Sequence, residues 1–123
     1  MSGNSYLLDT NVVLYLLGGD KVLAEIIGNK TPYLSFITEM ELLGNPQMKA
    51  SEEKHILSFL AECIIIEMNT DIKERAIRIR KKTGLKLPDS IIAASAEYEN
   101  LSLLTADSDF NRLKSLNILQ YKK

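Results

Sequence analysis

Short, continuous apolar runs alternate along this chain with longer stretches in which apolar residues recur at helical spacing. The runs are Tyr6 to Leu8, Pro32 to Ser35, Cys63 to Ile66 and Leu101 to Thr105, with a fifth around Ile118-Leu119. Runs this short, bounded by turn residues, read as strands. Between them, Val12 to Leu17, Lys21 to Ile27, Thr38 to Leu43, Glu52 to Ala61, Thr70 to Thr83 and Pro88 to Tyr98 read as helices. Ile72, Ala76 and Ile79 form one inward stripe, and Ile56, Leu57 and Leu60 another. In the last helix Ile91, Ala94 and Tyr98 share a face that Ile92, Ser95 and Ala96 widen. Its small residues let it lie close to a sheet.

Punctuation agrees with this division. Gly18-Gly19, Gly28-Asn29, Gly44-Asn45-Pro46, Gly84 and Asn100 suit helix exits. Asp9-Thr10-Asn11, Ser51 and Pro88-Asp89 supply helix-start chemistry, with Asp9, Ser51 and Asp89 as caps.

Strands that alternate with helices, and are apolar throughout, predict a parallel sheet covered on both faces. The expected class is α/β: a three-layer α/β/α sandwich with a mainly parallel sheet of four or five strands. Right-handed crossovers then bring the strands' carboxyl ends to one rim, where open α/β sheets bind ligands. Val12, Val13, Leu14, Leu16 and Leu17 are apolar nearly all round a helix. One side can face the sheet and the other a second subunit.

Composition narrows the class further. A chain of 123 residues with 46% hydrophobic and 25% charged residues suits one folded domain, 1–123. A formal net charge of −1 excludes a global field that steers a partner, so electrostatics must be local. Cys63, the single cysteine, lies in an apolar run and reads as core filling. A reducing cytoplasm is the expected compartment. No apolar run approaches the ~20 residues of a membrane helix, and Met1-Ser2-Gly3-Asn4-Ser5 carries no basic segment that predicts a signal peptide.

Carboxylates carry the candidate chemistry. Asp9 ends the first strand, Glu41 lies on the helix after the second, Asp89 opens the last helix, and Asp107 and Asp109 follow the fourth strand. Singly, each has a local explanation: Asp9 and Asp89 as caps, Glu41 as a solvated charge, Asp107 and Asp109 as turn formers. Together they fall on one rim. Carboxylates brought together repel, and some protonate unless a cation compensates. Oxygen ligands of this kind suit Mg²⁺ or Mn²⁺, and neither His55, a surface or boundary helix residue, nor Cys63 offers a zinc cluster. A carboxylate-held divalent ion fits phosphodiester hydrolysis, which needs charge neutralisation more than a covalent nucleophile.

The one basic stretch runs from Lys73 to Lys82 and on to Lys86, up to the acidic rim. Arg78, Lys81, Lys82 and Lys86 are the candidates to hold a nucleic-acid backbone. The alternative is a solvated helix face. Tyr6, Tyr15, Tyr33, Phe36 and Phe110 read as core or interface rather than base-stacking platforms.

At Leu8-Asp9-Thr10-Asn11, Ser35 through Glu41-Leu42 with Gly44, Gly84 through Ala94, and Leu104 through Phe110, the chain resembles PIN domains of the VapC toxin type. The resemblance implies a Mg²⁺- or Mn²⁺-dependent endoribonuclease, usually a homodimer, and the toxin of a type II toxin–antitoxin pair whose antitoxin blocks the active site. It implies Asp9, Glu41, Asp89 and Asp107 as catalytic, metal-binding acids, Asp109 as an auxiliary acid, and Asn11 and Thr105 as their supports. Glu39 lies close to Glu41; the latter is preferred because it directly precedes Leu42-Leu43. An RNA-processing nuclease outside a toxin system, or a silent protein-binding scaffold, are the alternatives. A receiver domain is disfavoured by the single acid after the first strand, and a haloacid-dehalogenase-like phosphatase by Asn11 where a second aspartate belongs.

Overall fold

The computed structural model describes residues 5–122, so the N-terminal segment read for a signal peptide lies almost wholly outside the described residues. The element order is β1 (Tyr6–Leu8), α1 (Thr10–Leu17), α2 (Lys21–Ile27), β2 (Tyr33–Ser35), α3 (Phe36–Leu43), α4 (Ala50–Leu60), β3 (Ile64–Ile66), α5 (Thr70–Thr83), α6 (Leu87–Tyr98), β4 (Ser102–Thr105) and β5 (Ile118–Gln120). A 3₁₀ turn, Ser108–Arg112, separates the last two strands.

The strands form one sheet in the order β3-β2-β1-β4-β5, with every pairing parallel. Its alternation of side chains splits the core in two. Leu7 and Leu103 face one layer, with Ile72, Ala76 and Ile79 of α5 and Ile91 to Ala94 and Ala96 of α6. Leu8 and Leu104 face the other, with Val12 and Val13 of α1, Leu23 and Ile27 of α2, Leu42 of α3 and Leu60 of α4. The result is the expected three-layer α/β/α sandwich. Each of Leu7, Leu8, Leu103 and Leu104 is fully buried, a gain of about 1.5–3 kcal/mol apiece.

The register serves the site. β1 and β4 are central neighbours, paired Tyr6 with Ser102, Leu7 with Leu103 and Leu8 with Leu104. Asp9 and the residues after Thr105 therefore leave the same rim side by side. The Asp9 N–H donates to the Leu104 carbonyl at 3.0 Å, which extends the ladder to the acid itself.

Two helix starts differ from expectation. α4 begins at Ala50 with Lys49 as cap, not at Ser51. Glu52 reaches back to accept from the Lys49 N–H at 3.0 Å, so the third helical position satisfies the donor. α6 begins at Leu87 with Lys86 as cap, which puts Pro88 second and Asp89 third. The Ser90 N–H already donates to the Lys86 carbonyl at 2.9 Å, drawing Leu87 into the helix and freeing the Asp89 carboxylate from capping. At Asp9 and Gly84 the expectation holds. Asp9 caps α1 by accepting from the Thr10 N–H, and Gly84 ends α5 in the left-handed region at φ 73°. Asn100, at φ 56°, turns the chain from α6 toward β4.

The aromatic residues behave as expected. Phe110 is fully buried, and Tyr6, Tyr15, Tyr33 and Phe36 pack against the two cores. Cys63 packs there too, half-buried, and burial followed by the Glu62 charge pushes its thiol up to about 12. His55 is exposed. Leu14 on α1 keeps 49% of its surface, so one chain does not cover that helix on both sides.

Candidate metal centre

Four elements deliver the acids to one rim. Asp9 follows β1, Asp107 follows β4, and Asp89 projects from the first turn of α6. Glu41 comes from the last turn of α3.

Asp9 is buried, at 5% exposure. Its Oδ1 accepts from the Thr10 N–H at 2.8 Å and its Oδ2 from the Thr105 hydroxyl at 2.7 Å. Thr105 is itself fully buried, and its oxygen accepts from the Asp107 N–H at 3.0 Å. One threonine thus orients the first acid and fixes the backbone of the fourth. Asp107 in turn accepts the Asp109 N–H at 2.9 Å and caps the 3₁₀ turn.

The acids share one electrostatic environment. Burial raises the Asp9 carboxyl above its ordinary value, hydrogen bonds from Thr105 and Thr10 oppose that rise, and the Asp107 and Glu41 charges add to it. The Asp89 carboxyl is pushed up to about 6 by burial, then by Asp9 and Asp107, with Lys86 opposing and Glu41 adding. Converging negative charge in a partly desolvated recess is the condition a divalent cation relieves. The donors are hard oxygens only, which fits Mg²⁺ or Mn²⁺ rather than zinc. Among the described residues, however, no three Asp, Glu, His or Cys side chains are drawn into a ready-made cage. Asp9, Asp107 and Glu41 are held instead by their own hydrogen bonds.

The remaining candidates are dispersed. Asp109 pairs with Arg112 at 3.5 Å rather than joining the four acids. Asn11 is exposed on the first turn of α1, and Glu39 is half-buried on α3. The basic residues do not form one band. Arg78 bonds Glu97 at 3.1 Å and, with Lys82, lines a recess shared with Arg112 and Lys114. Lys81 lies on a different groove between α5 and α6, with Lys73 and Arg80, and only Lys86 stands near the acids. Successive residues of an exposed helix point in different directions, so a basic run in sequence is divided in space.

Two residues at the site escaped the reading of the chain. The Thr10 hydroxyl donates to Glu41 Oε1 at 2.6 Å and lies 3.0 Å from the hydroxyl of Thr38, which is fully buried. The available signals were the adjacency of Thr10 to Asp9 and the three-residue spacing of Thr38 and Glu41 on one helical face.

Comparison with known proteins adds an independent line. The PIN domain profile matches residues 6–116. No curated protein matches. Among solved structures, a chain from a toxin–antitoxin complex of Klebsiella pneumoniae superposes with a TM-score of 0.81 at 30% identity, covering 94% of this chain and 96% of that one. A chain of VapBC-1 from nontypeable Haemophilus influenzae gives 0.75 at 28% identity, covering 94% and 97%. A chain of VapBC2 from Rickettsia felis, solved with a DNA fragment from its promoter, gives 0.79 at 23% identity over 96% and 99%. A profile that runs from the first strand to the approach to the last, matched by the same layering and rim, makes this chain a member of the PIN-domain family.

Proposed function

We propose that this chain is a divalent-cation-dependent endoribonuclease and the toxin of a type II toxin–antitoxin pair. PIN domains are a nuclease family. The observation that carries the reading furthest is that Asp9 and Asp89 are both raised, first by burial and then by the charges of the neighbouring rim acids. Asp9, Glu41, Asp89 and Asp107 would hold Mg²⁺ or Mn²⁺. When bound, such an ion supplies charge neutralisation at a phosphodiester and acidity for a water molecule.

The protein's own groups then have distinct tasks. Thr105 keeps Asp9 in one orientation through its 2.7 Å hydrogen bond. Lys86 places a positive charge beside Asp89, where a phosphate of the RNA backbone would be drawn in. Burial of Asp9 removes competing water from its carboxylate.

Two partners belong to the proposal: an antitoxin and a second copy of the chain. Leu14, Val22, Met40, Leu57, Ile77 and Leu87 are large apolar residues left exposed. Apolar surface of this extent suits covering by protein. The Klebsiella pneumoniae structure that this chain resembles is a toxin–antitoxin complex. A cytoplasmic location goes with that role; no described helix is long and apolar enough to cross a membrane.

The test is cleavage of a panel of structured RNAs by purified protein with Mg²⁺ or Mn²⁺, with and without a chelator. Cleavage that the chelator stops, and that Asp9→Asn and Asp89→Asn abolish, is the expected result. Cleavage unchanged in both variants overturns the assignment. The alternative is a PIN-like scaffold that binds a protein partner and cuts nothing. A melting temperature that stays flat across a millimolar titration of Mn²⁺ would select that reading.

A further inference from the structure

Glu41 differs from the other acids in how it is held. Asp9 is buried and tied at both oxygens, but Glu41 is exposed on the outer part of α3. A free glutamate there has up to about 2 kcal/mol of rotamer entropy and would sweep solvent. The Thr10 hydroxyl instead gives it a partner, with Oγ1 2.6 Å from its Oε1.

The polarity of that contact follows from the groups. An ionised carboxylate only accepts, so the single Thr10 hydroxyl proton goes to Glu41. Thr10 must then accept at its 3.0 Å contact with Thr38, which makes Thr38 the donor. Thr38 is fully buried, β-branched and stiff about its first torsion, and stands three residues before Glu41 on the same helix. The chain of hydroxyls runs from a buried anchor, through the residue next to Asp9, to the carboxylate of Glu41. It leaves Oε2 outside this contact. The last link is a short O–H···O⁻ bond, the stronger charge-assisted kind.

We infer that Thr38 and Thr10 are positioning residues, a two-hydroxyl tether that presets Glu41 for a divalent cation at the acidic rim. The inference rests on the reading of Glu41 as a metal-binding acid. Residues that orient a ligating group are worth about 10–100-fold in metal affinity. The tether also joins α1 to α3, so a simple packing role must be separated from it.

Mn²⁺ titration by calorimetry, with urea unfolding of the metal-free protein in parallel, makes that separation. Thr10→Val keeps the shape and loses the hydroxyl; Thr10→Ser keeps the hydroxyl and loses the methyl. Thr10→Val is expected to weaken Mn²⁺ binding about ten-fold, with Thr10→Ser close to wild type and Thr38→Val between them. In cleavage assays the loss should lie in the Mn²⁺ requirement, with kcat at saturating metal largely retained. Should Thr38→Val fail to fold, Thr38→Ser replaces it, and near-normal Mn²⁺ binding is then expected.

Wild-type Mn²⁺ affinity in Thr10→Val overturns the tether, as does equal weakness in Thr10→Ser. Glu41→Gln tells the two ideas apart. Weak binding in Glu41→Gln beside normal binding in Thr10→Val removes the tether and keeps Glu41 as a ligand. Normal binding in Glu41→Gln removes both.

Discussion

Helices α5 and α6 follow one another in the chain and pack together, yet they treat charge in opposite ways. α5 buries only Ile72, Ala76 and Ile79 and keeps most of its ions in water. Arg75 spans Asp71 at 2.6 Å and Glu97 at 3.0 Å, and Arg78 reaches the same Glu97 at 3.1 Å. Of these, the Arg75–Asp71 pair is open to solvent and contributes about 0–1 kcal/mol, whereas Glu97 is half-buried. α6 buries a continuous run from Ser90 to Ala96, small residues that let it lie against the sheet. Its one early acid, Asp89, is thereby pushed toward Asp9 and Asp107 and held up at about 6, first by burial and then by those charges. A charge has chemical consequence where water is displaced and like charges converge. A larger number of charges in solvent does not achieve it.

The largest test of this contrast is catalytic. Asp89→Asn on α6 should lower RNA cleavage by about 100-fold or more, the scale of lost metal-assisted charge stabilisation. Lys82→Ala on α5 should cost only a few-fold, seen as a raised KM. Equal losses in a kcat/KM comparison would erase the distinction.

Packing gives the next effect. Ala94 has no exposed surface, so Ala94→Leu overfills the α6 layer and should cost about 1–3 kcal/mol in urea unfolding. Glu74→Ala on the exposed face of α5 should stay within about 0.5 kcal/mol.

Protonation sharpens the contrast further. The folded Asp89 carboxyl, at about 6, lies above its ordinary 3.8, so the folded state holds a proton that the unfolded state has released. Its contribution to stability is complete below that ordinary value and disappears as pH rises from about 4 through about 6. Solvent screening of this half-exposed group reduces the effect to about 1 kcal/mol. Metal-free protein should therefore melt lower at pH 7 than at pH 5 through this group. Asp89→Asn should flatten that slope, and saturating Mn²⁺ should reverse it. A slope unchanged in Asp89→Asn would place the titration elsewhere.

The smallest effect is expected for Arg78→Ala. Its side chain keeps 62% of its surface, and Arg75 remains to hold Glu97. Stability should change by no more than about 0.5 kcal/mol.

Much of the fold could be read along the chain because its signals are local. β1 lies where Tyr6 to Leu8 placed it, and β2, β3 and β4 each begin one residue later than their apolar runs, at Tyr33, Ile64 and Ser102. Gly84 ends α5 because a left-handed residue is needed there. Helix starts were harder at Lys49 and Lys86. There the backbone decides, through the Glu52 carboxylate in one case and the Lys86 carbonyl in the other, and the cap's own side chain does not. The acids were legible as a set in sequence order, and their shared electrostatic environment is consistent with that set. The dispersal of Arg78, Lys81, Lys82 and Lys86 was not legible, since a one-dimensional run carries no direction around a helix axis.

By itself the sequence determined the strand–helix alternation, the apolar faces that build two cores, and which acids follow which strands, because backbone geometry and burial act over a few residues. Only the tertiary structure decided that β1 lies beside β4, that Thr105 bonds Asp9 across 96 residues, and that Thr10 and Thr38 meet Glu41. Those contacts join groups far apart in the chain. Their energies exist only once the sheet has closed and water has left the rim.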